Sequence, residues 1–108
     1  MEDMDDSIQI ETTFATMEDA EQMANLLLDM HLIACGQCCE IKSIYNWEGK
    51  RHNEGEILLK IKTQAVLWHD CEKLIKKHHP YKLPQITVTG MDGSREYLDW
   101  IKSETTKG

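Results

Sequence analysis

Nowhere in these 108 residues does an apolar run approach the roughly 20 residues that a membrane span needs, so no membrane partner is expected. Positive charge is also in short supply: 12 lysines and arginines stand against 19 acids, a formal net charge of -7. The basic residues are scattered rather than gathered into a patch, and such a balance repels phosphate backbones. Nucleic acid is therefore excluded as an expected partner. No internal repeat or low-complexity tract is present. The first ten residues, MEDMDDSIQI, carry acids where a secretory signal is basic and then continuously apolar, so the expected reading is an unprocessed, frayed end in a cytoplasmic protein. In that reducing compartment the four cysteines are expected to be thiols or metal ligands rather than disulfides.

What is present is enough for one core. The hydrophobic content of 41% argues against disorder, and the length fits a single domain over 1–108, with 1–6 and 105–108 expected to be loose. Residues 7 to 13 alternate Ile8, Ile10 and Thr12 with polar neighbours, the period of a half-buried strand. The period then changes. Thr16 is placed to cap a helix with Asp19 three residues on, and Ala20, Met23, Ala24, Leu27 and Met30 form its apolar stripe. From Leu32 to Trp47 the pattern is β-like, with Ile41, Ser43, Tyr45 and Trp47 on one face. EGKRHNEG, polar and carrying two glycines, predicts a longish loop before a third strand through Ile57, Leu59 and Ile61.

Helical spacing returns in QAVLWHDCEKLIKKHH, where Leu67, Cys71, Leu74, Ile75 and His78 share a face until Pro80 disfavours helical geometry in the residue before it and ends the helix. QITVTG is a short fourth strand, and Ser94 caps a last helix. The order β-α-β-β-α-β plus a terminal helix predicts an α+β, ferredoxin-like fold with an antiparallel sheet. Helices on one face leave the other open, and an uncovered face carrying Tyr45 and Trp47 calls for a second subunit.

That fold hosts many functions, so side chains must decide. A metallochaperone of this shape carries a Cys-x-x-Cys pair after the first strand, but TTFATMED holds no thiol. The glycine-rich, arginine-bearing turn of a small phosphatase is missing from the same place. CGQCC offers Cys35, Cys38 and Cys39, yet it follows a helix and enters a strand, so no helix N-terminus lowers a thiol pKa, and alternation sends Cys38 and Cys39 to opposite faces. They read either as small buried hydrophobes or as a metal or redox set; Cys71 reads as core. His78 and His79 read either as metal ligands or as basic caps on the last carbonyls of their helix. No nucleophile–base pair or paired carboxylate stands at a convincing position, so catalysis is not expected.

YNWEGK (45 to 50), Glu56, LKIKT (59 to 63), HHPYKLPQITV (78 to 88) and YLDWI (97 to 101) together resemble the CutA family of divalent-cation tolerance proteins, with element order and spacing kept from about residue 8 to 103. The resemblance implies a homotrimer of ferredoxin-like subunits, similar in architecture to the PII signalling proteins, associated with tolerance to copper and other divalent cations and without an established reaction. It also implies clefts between subunits that gather Trp47, Lys62, His79, Tyr81, Pro84 and Trp100, for a metal ion or a small ligand, which the mix of lysine, aromatics and histidine suggests to be anionic. Copper or zinc is the implied cofactor, no organic one, with His78 as the metal-site residue. In some bacterial members two cysteines and a histidine hold copper; aligned here, those positions are Thr12, Leu74 and His78, so that copper site is expected to be absent or much weakened. A scaffold or signalling-type interaction protein with indirect metal effects is the second implied role.

Overall fold

The computed structural model describes residues 6–106. Strand β1 (Ser7–Phe14) leads to helix α1 (Met17–Asp29), a hairpin of β2 (Cys35–Trp47) and β3 (Lys50–Gln64), helix α2 (Trp68–His78), strand β4 (Thr87–Met91) and helix α3 (Arg95–Glu104). The sheet order is β2-β3-β1-β4 and every pairing is antiparallel, the expected ferredoxin-like arrangement with a C-terminal helix.

Alternation decides what each strand buries. Ile8, Ile10, Thr12 and Phe14 of β1 stand opposite Thr63, Ile61, Leu59 and Ile57 of β3, all buried on the face that α1 and α2 cover. Ala20, Met23, Ala24 and Leu27 of α1 and Cys71 and Ile75 of α2 close that layer. The contact is tight at Gly36, where an added Cβ would lie 3.0 Å from the Ala24 Cβ. Leu74 packs half-buried against the core. Two members of the expected stripes leave it: Met30 is the C-cap of α1 and 46% exposed, and His78 ends α2 in solvent.

Caps act where the sequence puts them. The Thr16 side chain accepts from the Asp19 N–H, and Ser94 accepts from the Tyr97 N–H. At the other end of α2, His79 takes the extended geometry that a residue before proline requires, φ -74° and ψ 135°.

The hairpin departs from expectation. EGKRHNEG is not a loop: β3 already runs from Lys50, and only Glu48 and Gly49 turn, with φ of 51° and 79°. Positive φ at both central positions is the two-residue type of hairpin turn whose twist suits the strands, and glycine adopts it without strain. The outer half of β2 and β3 is thus a two-stranded ribbon that draws the molecule out to 46 Å along its longest axis. Ribbon residues face water on both sides, so polar residues serve in both registers.

Helix α3 corrects the expectation of one wholly open face. Lys62 and Gln64 alternate with Ile61 and Thr63, and so point away from α1 and α2; the Lys62 ammonium lies 5.5 Å from the Tyr97 ring centroid, and Gln64 donates to the Thr105 hydroxyl. Ile101 is fully buried outside the main core cluster, under this second layer. Of the ends expected to be loose, residues 1–5 and 107–108 lie outside the described residues, while Thr105 is 6% exposed and its hydroxyl donates back to Ile101.

Candidate functional site

Where the ribbon leaves the sheet, an open cleft of about 830 Å³ forms against the loop that follows α2. Strand parity supplies one wall. Tyr45 pairs with His52 across the hairpin, and their rings stack at 5.2 Å with planes 10° apart. Glu54 and Glu56 follow His52 at intervals of two and so share its face. The Tyr45 hydroxyl donates to Glu54 Oε1 at 2.7 Å, while Glu54 Oε2 lies 3.7 Å from His52 Nδ1.

The loop supplies the other wall, and His79 holds it. Nδ1 of that ring accepts from the Tyr81 N–H at 3.1 Å, and Nε2 donates to the Thr13 carbonyl at 2.9 Å. Those two bonds define a neutral ring protonated on Nε2. Its face stacks on Phe14, centroids 4.4 Å apart and planes at 14°. The chain is thereby pinned to the end of β1 just beyond Pro80, and Tyr81 reaches over to donate its hydroxyl to Glu56 Oε2 at 2.8 Å. Trp47 at the ribbon tip, Lys82, Ser43, Ile44 and Leu83 also line it.

Burial sets the protonation states. It pulls His79 below the ordinary imidazole range, against the opposing effects of the Thr13 carbonyl, Asp19 and Glu56. Burial also raises the Tyr81 hydroxyl, helped by its bond to Glu56, and the bond to Glu54 raises Tyr45. Both phenols therefore keep their protons and act as donors. With both ring nitrogens engaged, His79 is a structural post between strand and loop.

The six residues expected to share a cleft fall into two groups within one chain. Trp47 and Tyr81 line it, His79 braces it from behind, and Pro84 sits in its loop between two lining residues, Leu83 and Gln85. Lys62 and Trp100 lie elsewhere, with Tyr97: Lys62 over the Tyr97 ring, and Trp100 packed on it at 5.5 Å. Lys62 lies six steps along the strand from Glu56, roughly 20 Å at the rise of a β-strand. Sequence reasoning did not place Glu54 in the site. Its signal was available, since counting back by twos from Glu56 reaches it once residues 50–55 are taken as strand.

His78 stands apart from the cleft. It lines a separate hollow of about 210 Å³ with Phe14, Asp19, Met23, Leu26 and Pro80. Thr12 is fully buried opposite Leu59, its Oγ1 without a partner, and neither it nor Leu74 brings a soft donor to His78. Among the described residues no three His, Cys, Asp or Glu side chains converge on a common point, so the donors of one chain do not fit a resident copper or zinc ion. Cys38 and Cys39 take opposite faces, opposite Leu59 and Leu58. Burial, with Glu21 and Cys39 nearby, raises the Cys38 thiol, and burial pushes Cys71 up to about 12.

A βαββαβ sheet with an extended hairpin and an aromatic, acidic cleft at its base places the chain in the ferredoxin-like class. The profile of the CutA1 divalent ion tolerance proteins matches residues 8–104, and the chain belongs to that family. It is 39% identical over 101 residues to the divalent-cation tolerance protein CutA of Pyrococcus horikoshii, covering 93% of this chain and 99% of that one. Among solved structures, CutA1 of Ehrlichia chaffeensis superposes with a TM-score of 0.90 at 31% identity, over 97% of this chain and 100% of that one. The periplasmic divalent cation tolerance protein CutA of Archaeoglobus fulgidus does so with a TM-score of 0.90 at 32% identity, over 93% and 99%. Relatives thus include a periplasmic protein; in this chain no helix of the described residues is long and apolar enough to cross a membrane.

Proposed function

We propose that this chain acts in divalent metal ion tolerance as a non-catalytic, cytoplasmic homotrimer of PII-like architecture, which binds a divalent cation or a small ligand in clefts between its subunits. The observation that carries this reading is the division of Trp47, His79, Tyr81 and Pro84 from Lys62 and Trp100 at opposite ends of one sheet. A cleft that uses all six takes its halves from different copies. Two further features support it: among the described residues none pairs with the outer side of the 13-residue edge strand β2, and Ile44, Tyr45 and Trp47 are exposed on the ribbon. Long free edges and exposed apolar ribbons invite pairing with another chain.

Sedimentation at micromolar concentration is expected to return three times the mass of the chain, and a monomer overturns the reading. Titration of the reduced protein with copper and zinc, in wild type and His78→Ala, then separates the two roles the family suggests. Stoichiometric binding lost in the variant supports a metal site that includes His78. Weak binding in both supports a trimeric scaffold with indirect metal effects.

A further inference from the structure

Alternation puts Glu54, Glu56, Leu58, Lys60 and Lys62 on the face of β3 turned away from α1 and α2. The charges of that face are segregated, with carboxylates at the ribbon end and ammonium groups toward the end that meets α3. Two of its members lack a counter-charge. Glu56 is only 9% exposed, and its Oε2 takes the Tyr81 hydroxyl, which is a neutral donor. No described residue donates to Oε1, and that atom is not sealed from solvent, so it opens on the cleft. Lys62 is half-buried with its ammonium against the Tyr97 ring, and no described carboxylate lies within ion-pair distance of it. Its neighbours across the strands are Gln9 and Cys35, neither of them a carboxylate, whereas Lys60 stands opposite Glu11.

Charged groups so placed are costly until they are met. Within one chain these two cannot meet, since roughly 20 Å of strand holds them apart. A second copy laid head to tail answers both needs, because its lysine end then covers the acidic end of the first. The same contact repeats around a ring: each copy offers Glu56 to one neighbour and Lys62 to the other, the kind of interface that closes by rotation. We infer that Glu56 of each copy receives the Lys62 ammonium of the next copy, and that this ion pair joins the two halves of each cleft. The inference rests on the reading of the chain as a homotrimer with clefts between its subunits, and it names the contact that holds a cleft together.

The test is sedimentation of the full chain over a dilution series, in wild type, Glu56→Gln, Lys62→Met and the two combined. Each single change strands the opposite charge at the junction, so each is expected to raise the concentration at which the assembly dissociates by about tenfold or more. The combined change strands neither and is expected to lose little more than one of them alone. Losses that multiply overturn the inference, because independent sites far apart in one chain behave that way. Unchanged dissociation in either single variant overturns it too. Charge reversal adds a check across chains: Glu56→Lys and Lys62→Glu are each expected to fail to assemble alone and to assemble when mixed, since every junction between unlike chains then pairs opposite charges. A ring of three keeps one junction between like chains, so the mixture is expected to recover less than a chain carrying both reversals, and no recovery by folded chains overturns the inference. Should changes at Glu56 prevent folding, Lys62→Met decides alone. In its assembled form the NMR signal of the Glu56 carboxyl carbon is expected to move, although Lys62 of the same chain lies out of reach, and an unmoved signal overturns the inference. Wild type that sediments as a monomer sinks the assembly itself, whereas a trimer with multiplying losses sinks this contact alone.

Discussion

Tyr81 donates its hydroxyl to Glu56 across 2.8 Å, and this bond ties the loop after α2 to the third strand at the base of the ribbon. Tyr81→Phe removes the donor and leaves a carboxylate that is nine-tenths buried without it. A loss of about 1–3 kcal/mol is expected, read from urea unfolding. An unchanged midpoint would show that water replaces the phenol at no cost.

His79 makes stability depend on pH in one direction. Its folded-state pKa lies below the ordinary value near 6.5, so between those two values the unfolded chain binds more protons than the folded one. The contribution is complete above about pH 6.5 and fades as pH falls through that window. Protonation would also put a proton on Nδ1, which accepts from the Tyr81 N–H. Unfolding midpoints of wild type should drop below pH 6.5 by more than those of His79→Gln, and parallel profiles would remove the effect from this ring.

The cysteines should separate by reactivity. Cys39 is exposed, whereas Cys71 is fully buried, with its thiol pushed up to about 12 by burial and by Asp70. Iodoacetamide under native conditions is expected to label Cys39 and spare Cys71 until the chain is unfolded in urea. Mass spectrometry of the peptides decides; equal labelling of both would mean that α2 opens readily.

Thr12 carries a hydroxyl that the fold does not use. Its Oγ1 is buried without a partner in the core between β1 and the helices. Thr12→Val keeps the shape and removes the unsatisfied group, so a gain of about 1 kcal/mol is expected in thermal or urea unfolding. A loss would indicate a buried water on that oxygen.

Much of the fold was legible because its signals are local. Thr16, Ser94 and Pro80 act through neighbours a few residues away, and Ile8, Ile10, Ile57, Leu59 and Ile61 alternate because one side of each strand is buried. Residues 50–55 were misread for the complementary reason: with water on both sides of a ribbon, nothing imposes the apolar alternation by which strands are recognised. That misreading hid Glu54, and with it the acidic character of the cleft. The side of the sheet taken by α3 was equally hidden, since it depends on Lys62 and Gln64 meeting Tyr97 and Thr105, contacts that span more than thirty residues. The family resemblance named Trp47, His79 and Tyr81 together with Lys62 and Trp100, and only coordinates show that one chain holds them apart.

The tight reversal at Glu48 and Gly49 makes length, more than chemistry, the quantity that the hairpin cannot vary. A single residue added between Asn46 and Gly55 would shift the pairing by one step and swing Tyr45 or Glu54 to the opposite surface. An insertion or deletion of odd size would dismantle the cleft while leaving the body of the molecule intact.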